Sequence, residues 1–374
     1  MSLTDFFSNF TMFYEFYGFH KRPAYLNDYI MLHFDSDYMR GCHPEILERL
    51  SQTNMEQTPG YGCDEYTLRA KDNILRACGL DNGKGDVVFL TGGTQTNATV
   101  IDLVAGRYEG VMAVDTGHIN VHESGAVEAS GHKVITLPSH SGKMDAGELD
   151  SWLTDFYADD TWRHMVRPGI VYITFPTEVG TIYSKEELMA LREVCDRWQL
   201  PLYIDGARLA YGLAASPDMT MEDIAAIADI FYIGGTKCGT LFGEAVVTRH
   251  PEWFGNILSH IKAHGALMAK GRLLGVQFST LFEDGLYDRI GRNGVDKAMI
   301  LKNGMTERGI PLFMDSPTNQ QFFILPNDLI DRLLPAASFE LWGPRCEKAT
   351  PVRFVTDWGT TDDDIKTLLN LIDR

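Results

Sequence analysis

No run of about eighteen apolar residues occurs anywhere in this 374-residue chain, so the sequence offers no candidate membrane-spanning helix. Its six cysteines, Cys42, Cys63, Cys78, Cys195, Cys238 and Cys346, form no C-x-x-C pair and have no companion histidine spacing. That argues against zinc, and no metal site is expected. Reduced thiols in a cytoplasmic protein are the simplest reading. Positive charge is scarce: 33 Lys and Arg face 51 Asp and Glu, for a formal charge of −18. A general nucleic-acid or anionic-membrane partner demands clustered basic residues and is not expected. The first thirty residues also lack the charged-then-apolar order of a signal peptide. Phe6, Phe7, Phe10, Phe13, Tyr14, Phe16, Tyr17 and Phe19 crowd there instead. We read residues 1–33 as an aromatic packing arm, suited to a partner subunit, or as an extended translation start ahead of Met31.

What is present is a chain long enough for a sizeable core, with 44% hydrophobic residues. From Pro44 to Val247 helical and strand-like patterns alternate. Helical spacing covers Pro44 to Gln57, Glu65 to Cys78, Thr96 to Ala105, Ala146 to Phe156, Lys185 to Trp198 and Met221 to Ile227. Strand-like runs fall at Asp86 to Leu90, Val111 to Val114, Lys133 to Leu137, Ile170 to Thr174, Pro201 to Ile204, Ile230 to Ile233 and Glu244 to Thr248. The alternation predicts an α/β fold with a mostly parallel seven-stranded sheet covered on both faces. Beyond Pro251, helical patterns to about Arg308 precede short strands at Gln321 to Leu325, Ser338 to Leu341 and Val352 to Val355. A last helix opens near Thr361. This change implies a smaller α+β C-terminal domain.

Two strand-like runs end on chemistry. Phe231-Tyr-Ile-Gly-Gly-Thr-Lys237 presents one lysine after small residues, and Leu202-Tyr-Ile-Asp205-Gly-Ala-Arg208 ends on a carboxylate and an arginine. A lysine amine attacks a carbonyl only when neutral, which a desolvated or electropositive strand end favours. An acidic group beside a pyridine nitrogen keeps that ring protonated as an electron sink. Lys237 and Asp205 therefore suggest a pyridoxal phosphate site. A third run, Asp86-Val-Val-Phe-Leu-Thr-Gly92-Gly93-Thr94-Gln95-Thr96-Asn97, leads from a strand through glycines into a helix. Glycines let an anion approach, and a helix start offers it free N–H groups. Neither the Walker A pattern nor the dinucleotide fingerprint is matched here. In an α/β sheet ligands collect outside the carboxyl ends of the strands, and Lys237, Asp205, Gly93 and His118 all follow such ends.

Taken in order, five motifs resemble the fold-type I pyridoxal phosphate enzymes of the threonine aldolase and β-eliminating lyase group. They are Ser36-Asp37-Tyr-Met-Arg-Gly41-Cys-His43-Pro44-Glu45 with Tyr61-Gly62-Cys-Asp64, then Gly93-Thr94-Gln95-Thr96-Asn97, Gly117-His118 through Glu123-Ser-Gly-Ala, Asp205-Gly-Ala-Arg208, and Gly235-Thr236-Lys237. The resemblance runs from about residue 34 to the C-terminus. It implies the aspartate aminotransferase type of fold, with a large cofactor-binding domain over 34–255, in which 34–58 packs on the small domain, and a small domain over 256–374.

The same resemblance implies roles. Lys237 carries pyridoxal 5′-phosphate as a Schiff base, Asp205 pairs with the ring nitrogen, and His118 stacks on the ring. Gly93, Thr94 and Thr236 hold the phosphate, with Lys262 reaching in from a neighbouring subunit. Arg208 and Arg353, assisted by Ser36, match positions that grip a substrate carboxylate, as a planar two-pronged donor should. Glu123 orders the site, and His164 matches a histidine near the substrate's β-hydroxyl. Two departures stand out: Ala269 occupies a position where the family often has arginine, with Lys270 beside it, and Cys238 follows the lysine. The implied reaction is retro-aldol cleavage of a β-hydroxy-α-amino acid such as L-threonine or L-allo-threonine to glycine and an aldehyde. Its base would be a water positioned by His118 and His164, in a site without a free carboxylate. Elimination, racemisation or transamination of another small amino acid is the alternative. A homodimer or homotetramer with shared sites is the implied assembly.

Overall fold

A computed structural model of the chain describes residues 31–374; of the aromatic arm expected over residues 1–33, residues 1–30 lie outside the described residues, and Leu32–His33 form a short strand. The centre is a seven-stranded sheet. Its strands are β1 (Asp86–Leu90), β2 (Glu109–Val114), β3 (Val134–Leu137), β4 (Arg167–Thr174), β5 (Leu202–Gly206), β6 (Ile230–Gly234) and β7 (Glu244–Thr248). Their order across the sheet is β1-β7-β6-β5-β4-β2-β3. All pairings from β6 to β3 are parallel. Strand β7 returns antiparallel to both β6 and β1, because only a nine-residue turn separates Gly234 from Glu244 and a parallel return needs a crossover of a dozen residues or more.

Strand periodicity explains the two cores. Ile173, Ile204 and Ile233 point into one cluster of buried residues, with Val194, Leu209 and Phe278. Their neighbours Tyr172, Tyr203 and Tyr232 point into the other, with Val100 and Ile101 of the helix Gly93–Val104. Both faces of the sheet are thus covered, as the nearly continuous apolar strands require. The helices Lys185–Trp198 and Asp362–Ile372 begin on capping boxes, at Ser184 with Glu187 and at Thr361 with Asp364.

The C-terminal region forms a separate four-stranded antiparallel sheet. Strands β8 (Leu312–Met314), β9 (Gln320–Pro326), β10 (Glu340–Leu341) and β11 (Ala349–Val355) lie in the order β10-β11-β9-β8. The run expected at Ser338 to Leu341 is two short pieces: Ala337–Ser338 pairs in parallel with Leu32–His33, and only Glu340–Leu341 joins the sheet. The first helix, expected to reach Gln57, stops at Thr53. A third core cluster holds Leu32, Phe34, Leu301, Met305, Phe323 and Phe354. Apolar residues up to Val295 still pack with the central sheet, so the helix Leu286–Glu307 spans both bodies of packing. Among the described residues no helix is long and apolar enough to cross a membrane.

Candidate active site

At the carboxyl ends of the parallel strands lies a cavity of about 280 Å³. Its walls include Gly93, Thr94, His118, Asp205, Thr236 and Lys237, six of the residues expected at the site. Two glycines let the strand ends close up: a methyl on Gly206 would sit 2.1 Å from the Tyr232 carbonyl oxygen, and one on Gly234 2.1 Å from that of Ala207. Any side chain at either position would push β5 and β6 apart, and Asp205 away from Lys237.

Asp205 is 4% exposed. Its Oδ2 accepts from the Tyr172 hydroxyl at 2.7 Å and from Asn97 Nδ2 at 3.1 Å, and Oδ1 accepts from the Ala207 N–H at 3.0 Å. Among the described residues no cation lies within ion-pair distance of it. A buried carboxylate normally carries a cationic partner, so this site calls for a positive group from elsewhere. Lys237 is half-buried and likewise has no ion pair among the described residues, while Tyr211 holds its backbone, donating to the Lys237 carbonyl at 2.9 Å.

The opposite wall is built by the helix Gly93–Val104. Its N-cap, Gly92, brings no side chain to the helix end, which leaves the first N–H groups free for an anion. Four residues along, Asn97 faces the sheet. It donates to Glu123 Oε1 at 2.7 Å as well as to Asp205, and accepts from the Tyr203 hydroxyl at 2.7 Å. Glu123 Oε1 also meets His118 Nδ1 at 2.7 Å. Burial raises the Glu123 carboxyl, although His118 and Asn97 work against it. Burial depresses the His118 imidazole, but its bond to Glu123 and the charges of Glu178 and Asp205 lift it above its ordinary value. The hydrogen bond between them therefore favours a protonated His118 against a charged Glu123. The chain Tyr172, Asp205, Asn97, Glu123, His118 holds the acid and the imidazole in one frame.

Several expected residues do not line the cavity and have partners of their own. Arg208 is buried, with Nε 2.6 Å from Asp37 Oδ2 and Nη2 3.0 Å from Oδ1. Its fork is already occupied. Ser36 donates to Asp37 Oδ1 at 3.4 Å. Arg353 donates to Gln320 Oε1 at 2.8 Å, pairs with Glu340, and lies over the Trp342 ring. Burial and the nearby Arg208 charge lower its pKa. Lys262 is exposed, 5.7 Å from the Tyr61 ring centroid, and does not line the cavity of its own chain. His164 is exposed in a short turn just before Arg167, where β4 begins. Eight residues of strand at about 3.3 Å each place it roughly 26 Å from the carboxyl end where the cavity lies. It does not join the site of its own chain. The cavity also has carboxylates that were not expected, for Glu178 and Glu244 both line it.

The donor set fits pyridoxal phosphate. A free helix start and Thr94 suit a phosphate, a buried carboxylate without a cation suits a protonated ring nitrogen, and an unpaired lysine suits the aldehyde. Asn97, Tyr172, Tyr203 and Glu244 were given no role from the sequence. Asn97 stood inside a recognised motif, and the tyrosines read as ordinary strand residues.

Comparison with known proteins bears on the family and the fold. A sequence model of the beta-eliminating lyase family matches residues 33–324. A low specificity L-threonine aldolase of Pseudomonas sp. (strain NCIMB 10558) is 28% identical over 307 residues, 80% of this chain and 86% of that protein. The structure of Leishmania major threonine aldolase superposes with a TM-score of 0.87 at 40% identity, covering 92% of this chain and 99% of that one. A structure described as SPT with PLP internal aldimine shares the fold, with a TM-score of 0.67 at 13% identity over 91% of this chain and 86% of that one. The architecture is that of fold-type I pyridoxal phosphate enzymes.

Proposed function

We infer that this chain, which belongs to the beta-eliminating lyase family, is a pyridoxal phosphate-dependent aldolase cleaving L-threonine, L-allo-threonine and related β-hydroxy-α-amino acids to glycine and an aldehyde. The observation that carries the inference is Asp205: a buried carboxylate with three donors and no cation, one strand from an unpaired lysine and facing a free helix N-terminus. Its relatives named threonine aldolase support the substrate class.

Bound pyridoxal phosphate supplies an electron sink for charge developing at the substrate's Cα. Lys237 offers the amine that anchors it, and Asp205 supplies a fixed negative charge that keeps a proton on the ring nitrogen. The N–H groups of Gly93 and Thr94, with the Thr94 hydroxyl, receive the phosphate. His118, tied to Glu123, would stack on the ring and pass a proton through a water. Arg353 with Ser36 receives the substrate carboxylate, and Arg208 fixes the segment that carries Ser36. A cytoplasmic homodimer or homotetramer, with Lys262 contributed to the neighbouring site, completes the reading.

The test is product analysis with L-threonine and L-allo-threonine, alongside Lys237→Ala. Glycine and aldehyde from the parent, with neither product nor a visible cofactor band in the variant, are expected. Pyruvate and ammonia would assign β-elimination instead, and an α-keto acid transamination.

A further inference from the structure

Glu244 stands at the edge of the phosphate-holding wall and has no part in the chemistry above. It is 4% exposed at the first position of β7. Its Oε2 accepts from the Gly235 N–H at 2.9 Å and its Oε1 from the Thr236 hydroxyl at 2.7 Å. Thr236 Oγ1 in turn accepts from the Gly243 N–H at 3.0 Å. A threonine hydroxyl has one hydrogen and two acceptor sites. With its hydrogen given to Glu244, Thr236 has nothing to donate to an anion.

We propose that Glu244 makes anion capture at this site proton-linked: when its carboxyl is neutral it donates to Thr236 Oγ1, which frees the Thr236 hydrogen for a phosphate oxygen. In that state the hydroxyl is fully used, accepting from Gly243 and Glu244 and donating to the phosphate. The inference rests on the pyridoxal phosphate reading and deepens it.

The surroundings suit such a switch. The groups facing Glu244 are Lys237 and Asp205 at the adjacent strand ends, Cys238 just beyond, Tyr203 and Tyr232 from the sheet, and Tyr287 from the helix Leu286–Glu307. Burial raises its pKa most. The Thr236 and Gly235 bonds and Lys237 pull it back, Asp205 adds to the rise, and the net position is about 7. The proton is therefore exchanged within the working range of a cell.

The experiment measures the affinity of the full-length, cofactor-free protein for pyridoxamine 5′-phosphate by fluorescence from pH 6 to 9. This ligand carries the phosphate but cannot condense with Lys237. Binding should weaken above pH 7, approaching about tenfold per pH unit, since one proton is taken up with the ligand. In Glu244→Gln the amide oxygen can accept from Gly235 while its nitrogen donates to Thr236, so affinity should stay near its acid-side value throughout. Thr236→Val should bind weakly at every pH and show no such slope. Ionisation of the phosphate itself is common to all three and cancels in their ratios. Equal pH slopes in the parent and Glu244→Gln would overturn the proposal. So would an unchanged slope in Thr236→Val, the check should Glu244→Gln fail to fold. Binding of no vitamer at any pH, together with no product in the Lys237 assay, would overturn the cofactor reading itself.

Discussion

Truncating Asp37 to alanine should destabilise the chain by about 3–5 kcal/mol, the range for stranding one member of a buried ion pair. The magnitude follows from burial. The Asp37 side chain is 0% exposed and that of Arg208 8%, so removing the carboxylate leaves a guanidinium in a dry site with two donors unmet. Asn319 Nδ2, which donates to Asp37 Oδ2 at 3.0 Å, loses its acceptor too. The assay is urea unfolding of the cofactor-free chain, followed by fluorescence. Arg208→Met and the double variant Asp37→Leu, Arg208→Met complete the cycle. The double variant should cost clearly less than the sum of the singles, because it leaves no unpaired charge.

The pH dependence gives a second reading of the same pair. Burial alone would raise the Asp37 carboxyl, but Arg208 and Lys237 outweigh it and hold the group below its ordinary value. Its stabilisation is therefore present above the unfolded carboxylate value near 3.9 and is lost as pH falls through the lower folded one. Asp37→Ala should remove that acid limb. A cost below about 1 kcal/mol, the range of exposed ion pairs, would refute the reasoning. It would mean that Arg208 finds water or another carboxylate, and would return it to the role of substrate ligand.

Asp205→Asn should retain the fold, since an amide can still accept from Tyr172, yet lose about 10²–10³ in kcat by removing a preorganised charge; turnover of L-threonine at saturating cofactor measures this. His164→Asn should leave kcat and KM for L-threonine unchanged, because the residue sits beyond the amino end of β4. A large fall in kcat there would mean that a neighbouring subunit brings His164 into the site.

The strand ends that carry Lys237 and Asp205 are legible because each is an apolar run closed by small residues, and the glycines prove necessary at both. The helix start at Gly93 is legible for the same reason. Tyr172 and Tyr203 are not, because each alternates with an isoleucine or leucine inside a buried strand and reads as core. Only the pairing of β4 with β5, which sets Tyr172 directly against Tyr203, brings two hydroxyls beneath Asp205 and Asn97. The grip of Asp37 on Arg208 spans 171 positions and leaves no local pattern. Nor does the packing change where the alternation ends at Pro251, since apolar residues through Val295 still cover the central sheet.

Strand direction accounts for the positions of both His164 and Glu244. His164 precedes β4, which runs parallel to β5, so it falls at the amino end of the sheet, away from Asp205 and Lys237. Glu244 opens β7, which runs antiparallel to β6, so a strand's first residue falls at the carboxyl end of its neighbours. Its partner across the ladder is Gly234, three residues before Lys237. A glutamate starting a strand ordinarily reads as a solvated end, and here the reversal buries it in the cavity wall. The sequence does carry the signal, in the nine residues between Gly234 and Glu244: too few for a crossover, they force the return. A short connection after a lysine-bearing strand thus marks the next strand's opening residue as part of the site.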